Sequence, residues 1–328
     1  MNQLLENRLN LAKTAVILGH VHPDGDCVGS ALGLYNYLLA HYPELKTDIY
    51  LDNPDQKFSY LKRFDEIHCG YEEEKRYDLC ITCDSSDVER LGAFKPYFET
   101  AVHTFCVDHH VTNQGFAEEN CVEPDASSAS EVVCTLLDME KIDLDAAECF
   151  YTGIVHDTGV FKFSCTSGRT MEIAGKLMDK GIDTTEIIDG SFYRKTYAQN
   201  QMLGKALLGS ALLLDGKCVF SSVTKQEMDA YGVTTQDLDG IIDQLRLTEG
   251  VETAVFMYET GENTFKVSMR SCKYVDVSRI AACFGGGGHV RAAGCTVTGT
   301  VQEILAELIP YIERQILEWE ADHGCFTE

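Results

Sequence analysis

Short apolar runs alternate with helix-like segments over the first half of the chain. Continuous apolar runs at residues 14–19, 47–51, 77–83 and 104–107 are short enough to be buried strands. Between the first two runs, residues 29–39 have the apolar content and length of a helix. Because strands that alternate with helices form parallel sheets, this pattern predicts an α/β domain built on a parallel sheet with flanking helices.

The pattern changes near residue 209, where we expect a smaller domain to begin. Two hairpins are predicted around the turn residues 215–216 and 261–263. A short helix over residues 275–282 and a final amphipathic helix over residues 301–319 complete a mixed α/β domain. The length of 328 residues also favours two domains. We therefore predict a parallel-sheet domain over residues 1–192, a linker helix over 193–208 and the smaller domain over 209–328.

The composition is strongly acidic, with a formal net charge of −25 at pH 7. A chain this acidic binds long nucleic acid poorly, because neutralising phosphates requires Lys and Arg. A short anionic substrate is still compatible with the charge, since bound divalent cations invert the local field. The chain shows neither a signal-peptide pattern nor a long apolar stretch that could span a membrane, so we expect a cytoplasmic protein without a membrane partner.

The 14 cysteines are scattered through apolar segments. In a chain without an export signal, this distribution favours small buried thiols over a disulfide framework. Cys80 and Cys83 have C-x-x-C spacing, but within a strand that spacing sends the two side chains to opposite faces. We therefore expect this pair to be structural.

Acidic and histidine side chains follow the predicted strands at the points where these end. The carboxyl ends of parallel strands meet at one edge of a sheet, so these side chains should converge. Asp157 closes an apolar helix over residues 146–156, where a carboxylate opposes the helix dipole, so we expect it to have another partner. The full set comprises His20, Asp24, Asp26, Asp84, Asp108, His109, His110 and Asp157.

Clustered carboxylates with a few imidazoles indicate divalent metal ions. Such carboxylates repel one another unless cations lie among them. Oxygen donors with some imidazole suit Mn²⁺ or Mg²⁺ better than ions that seek thiolates. Two bound ions activate a water molecule and stabilise charge on phosphoryl oxygens. The residues therefore predict a two-metal phosphoesterase.

These motifs resemble those of the DHH phosphoesterase superfamily over nearly the whole chain. The resemblance is carried by His20-x-x-x-Asp24-x-Asp26, the strand-end Asp84, Asp108-His109-His110 and Asp157. Within the superfamily, residues 20–26, 126–131 and 151–159 are similar to the bifunctional oligoribonuclease and pAp phosphatase group. The smaller domain, with its glycine cluster, resembles the DHH-associated substrate-binding domain.

The resemblance implies a role for each residue of the first domain. One manganese ion would be held by His20 and Asp24, the other by Asp26, His109 and Asp157, and Asp84 would bridge them. Asp108 would orient a ligating histidine, and His110 would contact the scissile phosphate. The expected catalytic residues are accordingly Asp84, Asp108 and His110. Mg²⁺ and Co²⁺ are alternative ions.

The second domain offers groups that recognise phosphate. Exposed glycine amides approach a phosphate closely, and the resemblance implies that the glycine loop holds the far end of the substrate. Arg270 is the candidate for the terminal 5′-phosphate, since its planar fork matches phosphate oxygens. The expected substrate-binding residues are Arg270, Ser271, Gly286, Gly287, Gly288, His289 and Arg291.

Taken together, the motifs predict hydrolysis of short oligonucleotides (nanoRNA) to nucleoside 5′-monophosphates and dephosphorylation of pAp to AMP. A phosphodiesterase specific for linear or cyclic dinucleotides, such as pApA, pGpG or c-di-AMP, is the closest alternative. A nucleotide-binding sensor without turnover is a second alternative, although no metal ligand is missing. The glycine-histidine cluster argues against a manganese pyrophosphatase, and the acidic charge argues against a RecJ-like exonuclease. The sequence is compatible with a homodimer but does not establish one.

Overall fold

The computed structural model describes residues 2–73 and 75–324. The chain forms two compact units, residues 1–194 and residues 195–328. The helical segment Tyr197–Leu208 lies in the second unit, where Met202 and Ala206 are buried among apolar side chains of that unit. The domain limits at 192 and 209, with a linker over 193–208, stay predictions.

The first unit is built on a parallel sheet, as predicted, and the sheet has five strands in the order β2-β1-β3-β4-β5. Its strands are β1 (Thr14–Leu18), β2 (Lys46–Tyr50), β3 (Leu79–Cys83), β4 (His103–Asp108) and β5 (Glu119–Val122). Its helices are α1 (Gln3–Leu11), α2 (Gly25–His41), α3 (Lys95–Thr100), α4 (Ala129–Leu136), α5 (Leu144–Asp157), α6 (Gly168–Met178) and α7 (Thr184–Ile188). Short 3₁₀ turns lie at Gln56–Phe58, Phe64–Glu66, Glu89–Phe94 and Met139–Lys141, and a π-helical turn lies at Asp189–Tyr193.

Helix α2 begins earlier than the sequence pattern predicts, at Gly25 rather than at Gly29. The reason is an N-cap, because Oδ1 of Asp24 accepts hydrogen bonds from the backbone N–H groups of Asp26 and Cys27, both at 3.1 Å. This cap places Asp26 in the first turn of the helix. The polar loop after β1 is therefore shorter than expected, and its acidic residues are tied to a rigid element.

Helices α2 and α5 pack closely against each other beside the sheet. A Cβ at Gly29 would lie 2.5 Å from the carbonyl oxygen of Cys149, so the close approach requires glycine. Every described cysteine is free, as expected. Cys80 and Cys83 pack in two different apolar clusters, which agrees with their predicted orientation to opposite faces of β3.

The second unit is built on a mixed six-stranded sheet with the order β10-β11-β9-β8-β7-β6. β7 and β8 pair in parallel, and the other neighbours are antiparallel. The strands are β6 (Ala211–Leu213), β7 (Cys218–Val223), β8 (Thr253–Gly261), β9 (Thr264–Ser271), β10 (Gly287–His289) and β11 (Ala292–Thr298). The helices are α8 (Tyr197–Leu208), α9 (Lys225–Tyr231), α10 (Ile241–Arg246), α11 (Val277–Cys283) and α12 (Val301–His323), with a 3₁₀ turn at Thr235–Leu238.

Both predicted hairpins are present in this unit, as β6–β7 and β8–β9. The glycine run, which we expected to be a loop, is partly a short edge strand. Its residues Gly287–His289 pair antiparallel with the first three residues of β11. Among the helices in the described part of the chain, each is too short or too polar to cross a membrane.

Candidate metal centre

Three neighbouring strands of the first sheet end at the same edge and deliver the predicted ligands. Leu18 of β1 pairs with Thr82 of β3, and Cys83 of β3 pairs with Val107 of β4. The residues at or directly after these strand ends therefore lie side by side. These residues are His20 after β1, Asp84 after β3, and Asp108, His109 and His110 at the end of β4.

His20 is the centre of one group of potential ligands. Its Nε2 lies 3.8 Å from Oδ1 of Asp24 and 3.4 Å from Oδ2 of Asp84. Its Nδ1 lies 2.8 Å from the carbonyl oxygen of Val21, and because a carbonyl only accepts, Nδ1 carries the proton. The other nitrogen, Nε2, therefore presents its lone pair to the position between the two carboxylates, as a metal-binding histidine does.

His109 is the centre of a second group. Its Nε2 lies 3.0 Å from Oδ2 of Asp157, 3.6 Å from Oδ1 of Asp84 and 3.9 Å from Oδ2 of Asp26. Its Nδ1 faces the carbonyl oxygen of Ala126 at 3.3 Å, which again leaves Nε2 for an ion. Asp157 thus has the additional partner that its position at the end of α5 led us to expect.

Asp84 belongs to both groups. Its Oδ2 faces His20 and its Oδ1 faces His109, which is the arrangement that a bridging carboxylate needs. The residue is buried and its backbone is left-handed, with φ 56°. Such a backbone is uncommon outside glycine but is tolerated by Asp and Asn.

The start of α4 holds Asp26 in place. The backbone N–H groups of Ala129 and Ser130 donate to the two carboxylate oxygens of Asp26, at 2.6 and 3.0 Å. Ser128 caps the helix, which adds a favourable dipole for the anion. A side chain at Gly153 of α5 would overlap both Asp26 and Ser130. These contacts were not predicted, because backbone donors leave no residue-specific signal in a sequence.

Glu131 fixes the segment that carries those amides. Its side chain is fully buried, and Oε2 accepts hydrogen bonds from the backbone N–H and Oγ of Ser127, at 3.2 and 2.6 Å, and from Oγ1 of Thr170, at 2.7 Å. Oε1 accepts from Nε of Arg169 at 2.6 Å. The carboxylate thereby ties the start of α4 to α6. The sequence signal was the Ser-x-x-Glu capping pattern of residues 128–131, which predicts a helix start but not this role.

The side chain of Asp108 is hydrogen-bonded to the ring of His110. Its Oδ1 accepts from Nδ1 of His110 at 2.7 Å, and its Oδ2 accepts from the side-chain amide of Asn113 at 2.7 Å. Asp108 is completely buried, whereas the His110 side chain is 36% exposed. The hydrogen bond that the ring of His110 donates to Asp108 raises the pKa of His110. Asn113 is a further residue that the sequence pattern did not indicate.

The electrostatics of the cluster fit divalent cations. Burial, and then the neighbouring carboxylates, raise the pKa of Asp26 and of Asp157 above the ordinary value. Burial alone would raise the pKa of Asp24 as well, but His20 and two backbone N–H groups lower it to about 2. Buried carboxylates that repel one another in this way are stabilised by a bound cation. The donor set, which is mostly carboxylate with some imidazole, suits Mn²⁺-like ions.

The predicted substrate-binding residues lie on neighbouring strands of the second unit. Nε of Arg270 is 3.7 Å from Oδ1 of Asp243, and the guanidinium is partly exposed. The backbone N–H of Ser271 donates to the carbonyl oxygen of Arg291 at 3.0 Å, so the β10–β11 turn is attached to the end of β9. The remaining residues of the set are exposed on this hairpin: Gly286, Gly287, Gly288, His289 and Arg291.

Comparison with known proteins agrees with this architecture. Residues 14–154 match the model of the DHH family, N-terminal domain, and residues 215–316 match that of the DHHA1 domain. The bifunctional oligoribonuclease and PAP phosphatase NrnA of Thermus thermophilus is 30% identical over 287 residues, covering 86% of this chain and 84% of that protein. NrnA of Bacillus subtilis is 27% identical over 318 residues, covering 94% and 97%. A solved exopolyphosphatase-related protein from Bacteroides fragilis shares the fold, with a TM-score of 0.84, 24% identity and coverage of 97% and 96%.

Proposed function

This chain belongs to the DHH family of phosphoesterases, and from that membership we propose that it hydrolyses short oligonucleotides to nucleoside 5′-monophosphates and dephosphorylates pAp to AMP. Membership makes it a metal-dependent hydrolase of phosphoester bonds. The activities named for the Thermus and Bacillus relatives support the choice of substrate. Both reactions break an ester at a 3′-oxygen, so one site would serve both.

The observation that carries the proposal is the position of Asp84 between the His20 group and the His109 group. We propose two Mn²⁺ ions, with Mg²⁺ or Co²⁺ as alternatives, and with Asp84 shared between them. Bound divalent ions would supply Lewis-acid stabilisation of the phosphoryl oxygens. The expected ligands are His20 and Asp24 for one ion, and Asp26, His109 and Asp157 for the other.

The residues around the ligands would position the substrate. Asp108 holds the Nδ1–H of His110, which leaves Nε2 of that ring to meet a phosphoryl oxygen of the scissile phosphate. The raised pKa of His110 favours the doubly protonated ring, which donates to an anion.

The exposed groups of the second unit would recognise the rest of the substrate. Arg270 would bind a terminal 5′-phosphate through its planar fork, with Ser271, His289, Arg291 and the amides of the glycine run as further contacts. The net charge of −25 favours short substrates over long nucleic acid. A cytoplasmic location and a homodimer stay predictions.

The test compares the turnover of five substrates in the presence of Mn²⁺, and then of Mg²⁺ and Co²⁺. The substrates are a 5′-phosphorylated dinucleotide, pAp, cyclic di-AMP, pyrophosphate and a long single strand. Fast turnover of the dinucleotide and pAp is the expected result. Cleavage of cyclic di-AMP alone would keep the metal centre and contradict the proposed substrates, and no turnover of any substrate would contradict the function altogether.

A further inference from the structure

Cys27 lies beside the His20 group of ligands without having been assigned to it. It follows Asp26 in the first turn of α2, and its side chain is completely buried. Its Sγ, a ring nitrogen of His20 and a carboxylate oxygen of Asp84 all lie within 4.8 Å of one another. Since Nδ1 of His20 is bonded to a backbone carbonyl, Nε2 is the nitrogen available to an ion.

The distances suit a shared ion. Nitrogen and oxygen ligands bind such ions at about 2.1 Å and thiolate sulfur at about 2.3 Å, so two ligands of one ion lie about 3–4 Å apart. Nε2 of His20 is 3.4 Å from Oδ2 of Asp84 and 3.8 Å from Oδ1 of Asp24. Nε2 of His20 thus already has the spacing of a shared ion with each carboxylate, and Sγ of Cys27 lies within 4.8 Å of a ring nitrogen of His20 and a carboxylate oxygen of Asp84.

Two backbone features hold the thiol in this place. A side chain at Gly19 would overlap Sγ of Cys27, so the end of β1 leaves room for the sulfur only because that residue is glycine. The backbone N–H of Cys27 donates to Oδ1 of Asp24 at 3.1 Å, and this same carboxylate faces His20. The strand end and the helix cap therefore place the thiol and the carboxylate together.

Other cysteines near the centre do not share this position. Within residues 2–73 and 75–324, Cys27 is the cysteine that belongs to a group of potential metal ligands. Sγ of Cys165 donates to the backbone carbonyl oxygen of Asp157 at 3.7 Å, and the residue is exposed. Cys83 packs in the apolar core next to Asp84.

We propose that Cys27 supplies a thiolate to the ion position of His20, Asp24 and Asp84, so that this position favours softer ions such as Co²⁺, Zn²⁺ and Cd²⁺ over Mn²⁺ more strongly than the other position does. The thiol releases its proton to solvent as the sulfur–metal bond forms, and no electron is transferred. The position of Asp26, His109 and Asp157 has no sulfur donor, so its preference for such ions over Mn²⁺ is smaller. The two positions thus differ in metal selectivity, an inference that rests on the proposed metal-dependent function.

The first test uses Co²⁺ as an optical probe. The full chain is stripped of metal with a chelator and titrated with Co²⁺ under reducing conditions, and the near-ultraviolet sulfur-to-cobalt charge-transfer band is recorded. The variants are Cys27→Ser and, as a control for a nearby thiol, Cys165→Ser. We expect the band at the first equivalent in the wild type and in Cys165→Ser, and its loss in Cys27→Ser. An equal band in Cys27→Ser would overturn the proposal.

The second test measures selectivity by calorimetric titration with Cd²⁺ and with Mn²⁺. Cys27→Ser should reduce the ratio of Cd²⁺ affinity to Mn²⁺ affinity by about tenfold or more, as loss of an interaction at a metal site commonly does. An unchanged ratio would contradict the inference. If Cys27→Ser does not fold by circular dichroism, Cys27→Ala serves in both tests.

The two proposals fail separately. A Co²⁺ band that depends on Cys27 in a protein without phosphoester turnover would support the sulfur ligand and refute the function. Phosphoester turnover in a protein whose Co²⁺ band does not depend on Cys27 would support the function and refute the sulfur ligand.

Discussion

The candidate ligand cluster of the first unit and the proposed phosphate-recognition group of the second unit are organised differently. In the cluster, the side chains have partners besides the neighbouring ligands, such as the two amides that hold Asp26 and the carbonyl that holds His20. In the second group, His289 and Arg291 are exposed on a short edge hairpin. A fixed cluster suits chemistry that tolerates little displacement, whereas exposed groups suit recognition of varied substrate ends.

The most severe test of this contrast is Asp84→Asn. Asparagine tolerates the left-handed backbone at this position, so the variant removes charge without adding backbone strain. We expect kcat/KM with Mn²⁺ to fall by about a thousandfold, or roughly 4 kcal/mol. Asp87→Asn, at an exposed carboxylate of the same loop, is the control. Activity within a few fold of wild type in Asp84→Asn would remove Asp84 from the proposed site.

Arg270→Ala tests the second group, and its expected effect on activity is smaller than that of Asp84→Asn. Loss of a charged hydrogen-bond donor to phosphate should reduce kcat/KM for a 5′-phosphorylated dinucleotide by about a hundredfold. For the same dinucleotide without the 5′-phosphate, kcat/KM should fall much less, and the metal affinity of the protein should not change. Arg246→Ala is a matched control, because Arg246 approaches the same oxygen of Asp243 at 3.7 Å. Equal losses with and without the phosphate would refute the assigned role.

Glu131→Gln asks whether the cluster depends on the segment that supports it. The amide would present a donor to groups that are themselves donors, and the start of α4 would lose its anchor. We expect metal affinity to fall by about tenfold and the free energy of unfolding to fall by about 1–3 kcal/mol. Glu123→Gln is the control, because Glu123 pairs with Arg169 without contacting Ser127 or Thr170. If both variants bind metal alike, Glu131 does not position Asp26.

Two adjacent glycines give a matched test of the hairpin. A Cβ at Gly288, where φ is 142°, would lie 2.5 Å from the carbonyl oxygen of Ala292, whereas a Cβ at Gly287 meets nothing within 4 Å. Gly288→Ala should disturb the β10–β11 pairing at a cost of roughly 1–3 kcal/mol and raise KM several-fold with little change in kcat. Gly287→Ala keeps the pairing and should raise KM less than Gly288→Ala does. Identical KM values in the two variants would mean that hairpin geometry does not affect binding.

The smallest expected effect is a pH dependence of stability. Burial by itself raises the pKa of Glu131, but hydrogen bonds from Ser127, Thr170 and Arg169 outweigh it and hold the pKa below the ordinary 4.5. A carboxylate with a lowered pKa stabilises the fold above its unfolded-state pKa and loses that contribution as the pH falls through the folded-state value. The stability difference between wild type and Glu131→Gln should therefore be largest near pH 7 and narrow below pH 4.5. A difference that stays constant down to low pH in denaturant titrations would contradict this account.

The parallel sheet and the convergence of the candidate ligands were predictable because the relevant signal is local. Apolar runs mark β1 to β4, and acidic or histidine residues follow at their ends. β5 was not predicted, since Glu119–Val122 is short, contains polar residues at its first two positions and has no fully buried residue. Helices α9 and α10, within residues 225–246, were also not predicted.

What the sequence did not indicate depends on contacts between distant segments. Asn113, the amides at the start of α4 and the anchoring role of Glu131 act through neighbours that only the folded chain brings together. The sequence does not set Cys27 apart from the other cysteines, because nothing local distinguishes a thiol that lies near His20 from one that packs in the core. The roles of the individual site residues stay predictions until they are tested.

The spread of the ligands along the chain has a consequence for folding. The donors run from His20 after β1 to Asp157 at the end of α5, so no short fragment of the first unit contains both groups. Ions that occupy the two groups would bind the folded unit alone and stabilise it by mass action. Metal occupancy would then report whether the whole unit is folded. A chelator would lower the melting temperature of the whole unit rather than that of one helix.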